Sequence, residues 1–153
     1  MKKLFSFIIL VGLLFVGCSS NNKKSLDEIK QDQAICPQCN MPLSSDSNDF
    51  TAYAIVDNHT IYFDDIGCMV LYLQEHNINL QNIDTKVFTI DTKKYIDGKK
   101  CYYKMDHKTP MHYGFVCYEK QVEGNLAIKD MQLKILRGET MINPKIRKQI
   151  LGY

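Results

Sequence analysis

Three sulfurs fall within six residues in the segment Cys36-Pro37-Gln38-Cys39-Asn40-Met41-Pro42. A thiolate is both a soft metal ligand and a nucleophile, whereas a thioether is soft but cannot pair into a disulfide. The Cys-x-x-Cys pair therefore has three readings: a thiol–disulfide couple, half of a zinc site, or part of a soft-metal site. The redox reading expects a helix to begin at the first Cys inside a βαβ pattern. Here the motif precedes the first predicted strand, and Pro42 follows at once. The zinc reading expects a second closely spaced pair, but fifteen residues lie between Cys101 and Cys117, and no His-x-x-x-His occurs. Met41 favours the soft-metal reading, because a thioether suits Cu(I) and contributes nothing to zinc. The alternative for Met41 is a gap-filler in the core.

A second soft locus is Asp106-His107-Lys108-Thr109-Pro110-Met111-His112-Tyr113-Gly114. Met111 sits there in a turn-rich loop between two imidazoles, where a core role is less natural because loops run mostly over the surface. His112 is either a ligand or an ordinary surface histidine. The metal-ligand candidates are thus Cys39, Met41 and Met111, with Cys36 or His112 completing the set. Cys68 has two readings of equal weight. The first turn of a helix lowers a thiol pKa and favours thiolate, yet Cys is also a common small buried residue. Cys101 and Cys117 fall in strands, where a disulfide or plain burial is expected rather than metal binding. Met69 and Met131 lie on helical stripes and are expected in the core.

The N-terminus reads Met1-Lys2-Lys3, an apolar run from Leu4 to Val16, then Gly17-Cys18-Ser19-Ser20. Two charges, a short apolar segment and a small residue make a secretory signal, too short for an ordinary transmembrane helix. Cys18 follows Phe15-Val16-Gly17 as the lipid-bearing Cys follows a lipobox. Residues 1–17 are therefore expected to be cut away, leaving diacylglycerol and an acyl chain such as palmitate on Cys18. Residues 18–34 form a polar tether, and residues 35–153 form one domain. The expected address is the cell envelope, facing the periplasm. Ser19 and Ser20, with no acidic residue, favour the outer membrane over the inner. Removing Lys2 and Lys3 from the 19 basic residues leaves 17, equal to the 17 acidic ones, so no basic excess argues for nucleic acid as a partner. Of the six Cys, lipidation of Cys18 leaves an odd five, which a purely structural disulfide framework cannot close in an oxidising compartment.

The elements that must position these groups follow from periodicity. Residues 52–56 and 60–63 read as two strands around Asp57-Asn58-His59. Asp64 or Asp65 can cap a helix to about Glu75, with Ile66, Met69, Val70 and Leu73 as its buried stripe and Cys68 on the other side. Further strands are expected at 87–90, 95–99 turning into 101–103, and 115–118. Helices are expected at 128–137 and, short and basic, at 144–151. Strand–strand–helix–strand followed by more strands and a helix implies an α+β fold.

Taken together, the lipobox, Cys36-x-x-Cys39-x-Met41, Tyr62-Phe63-Asp64-Asp65-Ile66-Gly67-Cys68-Met69 and Thr109-Pro110-Met111-x-x-Gly114-Phe115 resemble the NosL family. The resemblance spans about residues 35–118. It implies an α+β fold of two ββαβ-like units and a periplasm-facing Cu(I)-binding lipoprotein that helps copper reach the catalytic centre of nitrous oxide reductase. It also implies copper ligation at Cys39-x-Met41 and at Met111. The chain departs from the family pattern in three places: His112 where Gly is frequent, the additional thiols Cys101 and Cys117, and the tail over residues 136–144. The resulting expectation is a tethered Cu(I) carrier, not an enzyme. Its partners would be the membrane, through the lipid, and nitrous oxide reductase or its maturation ABC transporter. The alternatives are an envelope thiol–disulfide oxidoreductase using Cys36 and Cys39, and a structural lipoprotein with two disulfides and one buried thiol.

Overall fold

The computed structural model describes residues 34–43 and 49–153. The expectations for a signal at 1–17, a lipid on Cys18 and a tether up to residue 33 lie outside the described residues. Strands β1 (Ala52–Val56) and β2 (His59–Phe63) pair antiparallel, with Ala52 opposite Phe63 and Val56 opposite His59. Asp57 and Asn58 turn the chain between them, both at positive φ (48° and 61°). Such a two-residue turn matches the right-handed twist of the strands, and Asp and Asn tolerate that backbone better than most residues.

Helix α1 (Ile66–Glu75) starts directly after β2. Asp65 is its N-cap, with a side-chain oxygen 2.8 Å from the Gly67 N–H. The predicted stripe of Ile66, Met69, Val70 and Leu73 is buried. Gly67 and Cys68 are buried as well, so the first half of the helix is enclosed on every side. Its apolar residues pack against β1, β2 and helix α2 (Ile128–Leu136). After α1 the chain returns as β3 (Asp84–Phe88) on the other edge of β1, and β4 (Tyr95–Asp97) pairs with β3. The sheet order is β2-β1-β3-β4, all antiparallel neighbours.

β3 ends earlier than residue 90 because Thr89 and Ile90 leave this sheet for the second one. The Ile90 N–H donates to the Cys117 carbonyl at 3.0 Å, and Thr89 bridges Cys117 in parallel. The second sheet pairs β5 (Tyr102–Met105) with β6 (Phe115–Tyr118). A disulfide joins Cys101, just before β5, to Cys117 in β6, with Cα atoms 5.8 Å apart. The chain then passes through the isolated Tyr103↔Leu126 bridge into α2 and ends in helix α3 (Pro144–Leu151), which is capped by Asn143. The first half is a ββαβ unit (β1, β2, α1, β3), and the second repeats its strand–strand–helix order. The fold is α+β, as periodicity predicts. Among the described residues no helix is long and apolar enough to cross a membrane.

Candidate metal centre

The Cys36-x-x-Cys39 segment is a short closed loop. The Cys36 N–H donates to the Met41 carbonyl at 2.9 Å, the Asn40 N–H donates to the Cys36 carbonyl at 2.8 Å, and Leu43 N–H donates to Ala34 at 2.9 Å. An Ile35↔Pro42 bridge closes the base. Asn40, directly after the second Cys, has φ 60° and lets the chain double back. Asn is among the few non-Gly residues that adopt this conformation readily.

The loop lies over the start of α1. The ligating atoms of Cys36, Cys39, Asp64 and Cys68 all fall within 4.8 Å of one another. Cys36 and Cys68 are fully buried and Asp64 is 6 % exposed, while Cys39 is half-buried. The Cys39 Sγ donates to Asp64 Oδ1 at 3.1 Å. The other carboxylate oxygen, Oδ2, is buried with no hydrogen-bond partner among the described residues. A buried carboxylate oxygen without a donor is costly, and a bound cation would satisfy it. This donor set can hold a metal ion.

The thiols do not share one character. The Cys68 S–H donates to Cys36, and against the opposing effect of burial this brings the Cys36 thiol down to about 7. The same bond, with burial and the nearby negative groups, pushes Cys68 far up. The lowering expected of a first-turn thiol is therefore absent at Cys68 and is found at its partner. Burial, together with its donation to Asp64, raises Cys39 to about 12. Thiols ligate as thiolates, so a cation bound here would displace the protons these thiols carry.

Adjacent Asp65 does different work. Its Oδ1 caps α1, and its Oδ2 accepts the Met111 N–H at 3.2 Å, with a further bond from Thr109. Thr109 Oγ1 in turn accepts the Gly114 N–H at 3.1 Å. The loop over residues 109–114 is thereby fastened to the start of α1. Burial pushes the Asp65 carboxyl up to about 6, opposed by these hydrogen bonds.

Of the sequence candidates, Cys36 and Cys39 come together in the cluster. Met41 is 41 % exposed and is tied to the loop through its carbonyl. Met111 packs its half-buried side chain against the core. His112 stands at φ 60° with its Nδ1 buried and unpartnered among the described residues. Sequence pattern offers Asp64 only as a possible helix cap, and Cys68 equally as ligand or as filler. The signal that marks them is the Asp64-Asp65 pair itself. One carboxylate can cap a helix, which leaves the other to be explained, and Cys68 follows Asp64 by four residues. The missing second pair of a four-donor site is thus Asp64 with Cys68. Compared with protein-family models, curated proteins and solved structures, the chain finds no match.

Proposed function

We propose that this chain is a Cu(I) carrier of the cell envelope, held to the membrane by a lipid on Cys18, and that it hands copper to a copper enzyme or to the transporter that matures it. The observation that carries the reading is the convergence of three thiol sulfurs from the Cys36-x-x-Cys39 loop and helix α1 on one site. Sulfur donors are what Cu(I) selects. Cys39, half-buried, is the ligand that an acceptor's own thiolate or thioether reaches first. Metal then moves by ligand exchange, without release into water. The motif resemblance to NosL supports nitrous oxide reductase, or its maturation ABC transporter, as the acceptor, and supports Met41 and Met111 as auxiliary thioethers during transfer.

The lowering of the Cys36 thiol by its hydrogen bond from Cys68 favours thiol–disulfide exchange, which needs a thiolate nucleophile. Burial weighs against it: Cys36 is fully enclosed, so a substrate disulfide has no approach to that sulfur. Anaerobic Cu(I) titration of the reduced protein tests the carrier. Cys39→Ser is expected to weaken binding by at least about tenfold, with affinity falling as pH drops because ligation releases protons. Equal affinity in parent, Cys39→Ser and Met41→Leu proteins would sink the reading. Disulfide-reductase activity that survives Met41→Leu would establish the rival.

A further inference from the structure

We infer that the cluster also accepts a divalent, thiophilic cation of the zinc(II) class, bound by Cys36, Cys39 and Cys68 with Asp64 as oxygen ligand, and that Asp64 is the residue that separates divalent ions from Cu(I). The inference rests on the reading of this cluster as a metal site and adds to it which ions enter and through which donor.

Geometry is the first support. A tetrahedral ion with metal–sulfur bonds of about 2.3 Å holds its sulfurs roughly 3.8 Å apart. The four donors here lie within 4.8 Å of one another before any ion is bound. They arrive as two pairs, Cys36 and Cys39 from a closed loop and Asp64 and Cys68 from the start of a helix, which is how four-coordinate sites are assembled from two short segments.

The second support is the carboxylate. Asp64 is 6 % exposed, and its Oδ2 has no hydrogen-bond donor among the described residues. A carboxylate oxygen is a hard donor that borderline divalent ions accept, whereas Cu(I) is satisfied by sulfur and gains little from it.

Charge is the third. The donor set itself is three thiols and one carboxylate and brings no cationic side chain of its own. On ligation each thiol gives its proton to the buffer, and no electron changes hands. The resulting enclosed thiolates and carboxylate need compensating charge. A divalent ion offsets one more of these negative charges than Cu(I) does.

The test uses the full chain, reduced and kept anaerobic, titrated with Co(II), Zn(II) and Cu(I). Co(II) should produce sulfur-to-cobalt charge-transfer absorption and the intense visible bands of a tetrahedral ion, both removed by added Zn(II) and both absent in Cys68→Ser. Asp64→Ala should lower zinc affinity by at least about tenfold while changing Cu(I) affinity by less than about threefold. Asp64→Asn keeps the side-chain volume and should show the same split, so a folding failure of the alanine variant leaves the test intact. Unchanged zinc affinity and an unchanged cobalt spectrum in Asp64→Asn would overturn the inference. So would a parent protein that binds Cu(I) but no divalent ion, and in that case the carrier survives. A parent that binds zinc through Asp64 but not Cu(I) supports the inference and removes the carrier, and one that binds neither removes both.

Discussion

Asp64 and Asp65 are neighbours in the chain with the same side chain, yet their surroundings give them opposite tasks. Asp65 has every oxygen occupied by donors from Gly67, Met111 and Thr109, while Asp64 keeps one oxygen without a partner among the described residues, beside three thiols. Replacing Asp65 with Ala removes a helix cap worth about 1 kcal/mol and strands the Met111 N–H at a cost of about 1–3 kcal/mol. Asp65→Ala should therefore lower the denaturant midpoint by the equivalent of about 2–4 kcal/mol. The pH dependence has a definite sign. The folded carboxyl sits at about 6, above its ordinary 3.8, so the folded state binds this proton more tightly than the unfolded chain does. Asp65's contribution to stability is greatest below the ordinary value, falls as pH rises between those two values, and levels off above the higher one. The stability difference between the parent and Asp65→Asn should change across that window and stay constant from neutral pH upward. A difference that does not vary with pH there would show that the carboxyl titrates normally.

At the scale of elements, the start of α1 is where three segments meet: the Cys36–Cys39 loop, the helix and the 109–114 loop. Gly67 makes the last of these contacts possible, because a Cβ at that position would land in the Tyr113 ring. Tyr113 is itself nearly buried, so the ring has little room to move away. Overpacking of this kind costs about 1–3 kcal/mol. Gly67→Ala is thus expected to lower the melting temperature, and Tyr113→Ala in the same chain to recover part of the loss. Full additivity of the two substitutions would mean that they do not touch. Gly114, at φ 85°, faces Met141 in the same way, and Met141 is buried although the tail was expected only as an extension. The segment after α2 therefore closes over the 109–114 loop and belongs to the domain's core.

For the whole molecule, the Cys101–Cys117 disulfide sits where the two sheets join, since Cys117 also bridges Thr89 at the end of β3. It closes a loop of sequence separation 16, for which the chain-entropy model gives on the order of 3 kcal/mol. The Cys101→Ala, Cys117→Ala double variant should lose about that much stability, read by denaturant unfolding, while retaining the parent's metal affinity. A loss of metal binding in a folded double variant would place these sulfurs in the site. With this pair oxidised, the five cysteines among the described residues resolve into one disulfide and three free thiols, and those three are the ones that cluster.

Local pattern alone determined much of this protein. Period-two and period-3.6 repeats located β1, β2, α1 and α2 to within a residue or two, because each element buries one face and its side chains must alternate accordingly. The Cys36-x-x-Cys39 spacing marked one half of the site for the same reason, since two thiols three residues apart can face one point on a turn. The other half was decided only by tertiary structure. The Asp64-Asp65 pair and the place of Cys68 in the first helical turn hint at a second half, but local pattern does not say which carboxylate caps and which faces the thiols, or choose between ligand and filler for Cys68. What assigns them is the loop over residues 36–39 folding onto the start of α1, a contact between residues 25 to 32 positions apart in the chain. The departure of Thr89 and Ile90 from the first sheet has the same origin, because their partner is Cys117. Hydrophobic periodicity reports which face of an element is buried; it carries no information about which distant polar groups are buried against it.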